Sequence, residues 1–232
     1  MRKLYVIIFF ITLFLCIITY THGNNRNVKK KAPKLLRAKH SNRDGSKDPV
    51  VNRRLAGIAR QILRQSTWGD LATISSITNS TTNGYPFVTP KIFAEGNSSV
   101  STGKPYFYLD SDYFQSTDVV KDSRVSFTVN TEQTGACSKR GYIVQNPKCF
   151  WVVYSGDFVK LKKGSKEYDQ GYSYLMEKYP EIKDIPDKEN YYVGTVKLVE
   201  VMVVAGKKML ECIPLPAYFE ASPNEDFESE MD

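Results

Sequence analysis

Apolar residues recur along this chain with two different periods. Leu55, Ile58, Ala59, Ile62 and Leu63 fall at helical spacing with arginines between them, which predicts an amphipathic helix from about Arg53. From Trp68 the period changes to two. Trp68-Gly-Asp-Leu-Ala-Thr-Ile-Ser predicts a strand, a turn spans Asn79 to Gly84, and Tyr85 to Phe93 predicts the partner strand of a long-looped hairpin. Further strands are expected at 105–109, 124–130 and 150–161, a long strand or bent pair at 191–204, and helices at 113–121 and 166–179. In Pro105-Tyr-Phe-Tyr-Leu, alternation puts Tyr106 and Tyr108 on one face and Phe107 on the other. Five to seven strands with two or three helices predict a mainly β (α+β) fold, a small β-barrel with peripheral helices at its ends.

The two ends of the chain depart from this pattern. Arg2 and Lys3 precede an almost unbroken apolar run, Leu4 to Ile18. That run is shorter than the roughly 20 residues of a membrane span, so it predicts a signal peptide over 1–22, with a retained signal anchor as the alternative. No later apolar stretch is long enough to cross a bilayer, so no stable membrane insertion is expected. Residues 23–52 are expected to form a basic, disordered arm, 53–220 the folded domain, and 221–232 an acidic, disordered tail.

Charge sharpens this division. The segment from Asn24 to Arg64 carries 13 Lys/Arg against Asp44 and Asp48, whereas 17 basic and 23 acidic groups lie from Gln65 onward, a balance of −6. A basic arm suits a heparan-like polyanion or an acidic membrane surface; nucleic acid is disfavoured by the secretory address. The competing reading is a solvated linker or propeptide, with Arg53-Arg54 a candidate processing site.

Candidate chemistry is sparse. Cys137 and Cys149, twelve apart across a loop containing Gly141 and Asn146-Pro147, are the expected disulfide in an oxidising lumen, which leaves Cys212 odd. The cysteine spacings do not fit a zinc site, and the only histidines, His22 and His40, lie outside the predicted domain. Nucleophilic catalysis of the Ser-His-Asp or Cys-His kind therefore has no histidine base there. Gly-x-Ser-x-Gly and phosphate-cradling glycine loops are absent from the sequence. Asp110/Asp112 and Asp184/Asp187 are close pairs that read as solvated loop charge. Asn79-Ser-Thr and Asn97-Ser-Ser are glycosylation sequons in polar loops. Tyr106-Phe-Tyr108 and Tyr191-Tyr192 suit either a carbohydrate or flavin platform or ordinary packing.

Several blocks in order resemble the CREG family of secreted glycoproteins. They are Trp68-Gly-Asp-Leu-Ala-Thr-Ile-Ser, Gly84-Tyr-Pro-Phe, Gly103-Lys-Pro-Tyr-Phe-Tyr-Leu, the pair Cys137 and Cys149, and Tyr154-Ser-Gly-Asp, within a span from Arg54 to Tyr218. The resemblance implies a homodimeric split β-barrel related to the FMN-binding, pyridoxamine-phosphate-oxidase-like proteins, but without a cofactor or flavin activity. It also implies a non-enzymatic, secreted or endolysosomal regulator of growth and differentiation, bound through its glycans by a mannose-6-phosphate-type receptor. The rival reading is an FMN-dependent oxidoreductase, for which Lys91 and Arg124 are the candidate phosphate-binding cations. The long basic arm and the acidic tail depart from the family pattern.

Overall fold

The computed structural model describes residues 49–205, 209–224 and 226–231. The expected signal peptide and nearly all of the basic arm lie outside them. Helix α1 (Pro49–Gln65) leads into β1 (Trp68–Ile74), β2 (Pro86–Ile92), β3 (Ala94–Gly96) and β4 (Ser101–Asp110). Helix α2 (Phe114–Lys121), β5 (Arg124–Asn130), β6 (Trp151–Lys160) and α3 (Lys166–Lys178) follow, and then β7 (Tyr191–Ala205), β8 (Met209–Ile213) and α4 (Leu215–Glu220).

All strands belong to one antiparallel sheet in the order β2-β1-β5-β6-β7-β4-β3, with β8 beside the second half of β7. The two edges of that path, β2 and β3, are consecutive in the chain and separated only by Phe93. A single residue spans at most about 3.6 Å, so the sheet has to curl until its edges meet. Phe93 is fully buried at that junction, with its ring 4.9 Å from Phe127 and 6.3 Å from Phe107.

The expected hairpin forms with Trp68 opposite Ile92 and Ile74 opposite Pro86. The long final strand is one 15-residue element that bends rather than breaks. Its first part pairs with β4 and its last part with β8, while β6 runs along its other side. The short strands β3 and β8 and helix α4 carry too few alternating positions to stand out in the sequence. Phe107 enters the main core and Tyr106 and Tyr108 enter a second cluster under α3, as the alternation of β4 requires.

Helix α1 differs from expectation. It begins at Pro49, and every residue from Leu55 to Leu63 is buried, including Arg60 and Gln61 on the side expected to face water. The cause is the C-terminal segment. Helix α4 packs on α1, Asn224 N–H donates to the Gly57 carbonyl at 3.0 Å, and Phe227 is fully buried in the main core. The tail expected to be disordered from residue 221 is therefore docked over the described part of its length, with Arg140 paired to Glu228 at 2.9 Å.

Truncating Phe93 leaves a hole where the sheet closes and nothing nearby to fill it. Phe93→Ala is expected to lower unfolding free energy by about 3–5 kcal/mol, read as a lower urea midpoint with tryptophan fluorescence as the probe.

Candidate functional site

The barrel interior is solid. Phe107 meets Phe127 edge-on at 5.1 Å, and Tyr154 meets Tyr218 at 6.0 Å. The two phenols are satisfied inside: Tyr154 OH donates to Ala59 O at 2.9 Å and Tyr218 OH to Gly103 O at 2.8 Å. Burial pushes both phenol pKa values well above the ordinary range, so each stays a hydrogen-bond donor. These close-packed aromatic rings make the part of the barrel interior they fill a core.

The outer face of the sheet is laid out by its register. One row runs Val88, Ala72, Ser126, Ser155, Glu200, and the next runs Pro90, Asp70, Thr128, Val153, Met202, Cys212. A further row passes through Asn130, Trp151, Val204 and Leu210, in line with Ile92 and Trp68. Val88 is 58% exposed, Val199 61% and Trp68 43%, so the face presents large apolar groups to its surroundings. A depression of about 380 Å³ lies in it, lined by Ala72, Ile74, Pro86, Ser126 and Val199 with Arg124 at the edge. The register shifts between Ser155 and Gly156 beside it, and a Cβ on Gly156 would meet Lys197 O at 2.2 Å. Only glycine fits that bulge.

The structure separates the two cations considered for a flavin phosphate. Lys91 stands opposite the buried Gly69, facing inward, with its ammonium 3.8 Å over the Tyr113 ring, and burial lowers its pKa. Arg124 shares the outer face with Ser126 and is held by Asp122, Nε to Oδ1 at 2.9 Å. The two therefore point to opposite sides of the sheet from positions about 17 Å apart along β1, at about 3.3 Å per residue. One phosphate cannot engage both, and these residues do not fit the group.

The other expected residues are placed as follows. Cys137 and Cys149 are joined in a disulfide inside the main core, bracing the long β5–β6 loop. Cys212 is half-buried on β8. Asn79 is exposed at a turn with φ of 62°, a left-handed conformation that Asn tolerates. Asn97 is half-buried, and its Oδ1 accepts from the N–H groups of Ser99 and Val100 at 3.0 and 2.8 Å. Its Nδ2 remains as the amide atom that a glycan would join. Among the described residues no group of His, Cys, Asp and Glu is arranged to hold a metal ion, and no helix is long and apolar enough to cross a membrane.

A buried charge network beside Asn97 had no signature in the sequence. Arg60, only 3% exposed, donates to Ser101 Oγ at 2.8 Å, and that hydroxyl donates to buried Glu95 at 3.0 Å. Glu95 also accepts from Gly103 N at 3.0 Å and lies 3.7 Å from Arg64. Lys178 borders the same hollow of about 270 Å³, donating to Ser66 O at 2.7 Å. Burial depresses its pKa to about 8; Glu95 opposes the shift and Arg64 adds to it. These groups occupy α1, β3, β4 and α3, and only the closed fold makes them neighbours.

Fold and site together define the class, an α+β split β-barrel with an aromatic core. A heme binding protein from Mycobacterium smegmatis has the same fold, with a TM-score of 0.56 at 16% identity, covering 72% of this chain and 61% of that one. Residues 51–220 match the family described as CREG, beta-barrel, and the chain belongs to the CREG family. Protein CREG1 of Mus musculus is 29% identical over 147 residues, 63% of this chain and 65% of that protein. Protein CREG1 of Gallus gallus is 27% identical over 170 residues, 72% and 86% of the two chains. The match to the mouse protein thus spans about two thirds of its length.

Lys178 yields a pH prediction. With a folded pKa of about 8 against 10.5 for the ordinary group, the unfolded chain binds more protons between those values, so stability rises with pH across that window. The urea midpoint should increase from pH 8 toward pH 10, where tyrosine ionisation in the unfolded chain begins to oppose it. Lys178→Met should flatten the rise.

Proposed function

We propose that this chain is a non-enzymatic, glycosylated binding protein of the secretory or endolysosomal route, which acts as a homodimer, carries no flavin, and influences growth and differentiation through a receptor. The carrying observation is the contrast between a barrel closed by its own aromatic rings and an outer sheet face covered with apolar side chains. A second copy is the natural occupant, because the rows alternate apolar groups with small hydroxyls and carry few charges. Asn79 and Asn97 supply the glycans, whose recognition by a mannose-6-phosphate-type lectin is the proposed link to the receptor.

Light scattering on the natively glycosylated protein tests the dimer. The expected result is twice the chain mass, falling to one chain mass in Val153→Arg with unchanged circular dichroism. A monomeric parent would overturn it. Adding FMN to the same sample tests the cofactor reading: no absorbance near 450 nm is expected to be retained after gel filtration, roughly where a bound flavin absorbs. Stoichiometric yellow protein would move the case to redox chemistry.

The sequons have their own readout. Asn79→Gln and Asn97→Gln should each remove one glycan's mass, and the double variant should lose retention on a mannose-6-phosphate-binding lectin column. Retention of that double variant would exclude the glycan route.

A further inference from the structure

At the end of the barrel where β6 turns into α3, three lysines stand together. Lys160, Lys162 and Lys163 are exposed and line, with Tyr168, Tyr191 and Tyr192, a concave surface of about 460 Å³. That volume falls within the ~300–1,000 Å³ typical of small-ligand sites. None of the three ammonium groups has a carboxylate within 4.0 Å among the described residues, and Glu189 is the one acidic side chain in the lining. Because the chain from Gln65 onward carries a balance of −6, this cluster is a local reversal of charge. An ordinary solvated surface intersperses the two signs.

The cluster is also held in place. Leu161 between the lysines is buried in the second core cluster, and its N–H donates to Val193 O at 2.9 Å. Ser165 N–H donates to Lys162 O at 3.0 Å, and Ser165 Oγ caps α3 by accepting from Tyr168 N at 3.3 Å. Tyrosine faces back this loop. Tyr108 and Tyr191 stack at 5.0 Å, Tyr168 and Tyr172 at 6.1 Å, and Lys160 Nζ lies 4.3 Å over the Tyr192 ring. Exposed lysines on a held loop beside the half-buried Tyr168 and Tyr191 answer the two parts of a charged sugar: lysine for the anionic group, tyrosine for the apolar face of the ring. A concave site fits a chain segment better than a flat membrane.

We infer that this surface binds a sulfated oligosaccharide segment of the glycosaminoglycan kind, separately from the basic arm. The inference is independent of the dimer, because the site lies at the β6–α3 end and not on the outer sheet face. Association is steered by the lysines, while the tyrosines favour sugar over a bare anion.

Lysine footprinting on the full glycosylated chain tests it, since acylation rates read each amine separately. A size-defined heparin oligosaccharide is expected to slow acylation of Lys160, Lys162 and Lys163 several-fold, and inorganic sulfate or the unsulfated backbone at equal concentration is expected to do so much less. The variant Lys160→Gln/Lys162→Gln/Lys163→Gln, at unchanged urea midpoint, should bind the oligosaccharide roughly tenfold more weakly at low salt. Protection confined to the lysines between positions 29 and 47, equal protection by inorganic sulfate, or full affinity in the triple variant would each overturn the inference. So would protection by anionic phospholipid vesicles but not by the oligosaccharide.

Discussion

The fold turns on a length constraint at Phe93. Strands at opposite edges of one sheet are joined through a single residue, so the sheet has no open conformation in which both pairings survive. Closure brings Phe93, Phe107, Phe127 and Phe158 into one cluster of tilted and edge-on rings, and it sets β3 against α3. Tyr179 reinforces the seam by donating to Phe93 O at 3.0 Å.

Closure has an electrostatic consequence. Arg60 and Glu95 are buried close together with Lys178 nearby, and burying charge is tolerated only where each group is paired or hydrogen-bonded. Ser101 mediates between Arg60 and Glu95, and Gly103 supplies a backbone donor to the same carboxylate. Gly103 sits at φ of +72° directly under the Arg60 side chain, a position where a Cβ would lie 2.9 Å from Nε. The network is thus a product of packing, and the lowered pKa of Lys178 beside it reflects burial, which Glu95 partly offsets.

With the interior filled, the molecule has three outer surfaces of different character: an apolar sheet face, a lysine and tyrosine concavity, and the two sequon loops. They are separable by mutation. The chain's two histidines, His22 and His40, both precede the described residues. The C-terminal segment is part of the fold: Phe227 is buried in the main core and Asn224 N–H donates to the Gly57 carbonyl of α1.

Periodicity alone determined the main elements. Strong alternation at Trp68–Ile74, Arg124–Asn130 and Trp151–Lys160, and helical spacing in α1, follow from side chains that must alternate or wind toward one core. Order and spacing of short blocks carried the CREG resemblance, and the two cysteines announced their bridge by loop and compartment. The strands β3 and β8 were illegible because three and five residues carry almost no period, and their pairing comes from distant β4 and β7. The buried face of α1 was misread as solvent-facing because the residues that cover it lie more than 150 positions away. Lys91 and Arg124 looked equivalent as strand cations until the register placed them on opposite faces. Local chemistry fixes which side of an element is apolar; only the closed chain decides what that side, and the other one, will meet.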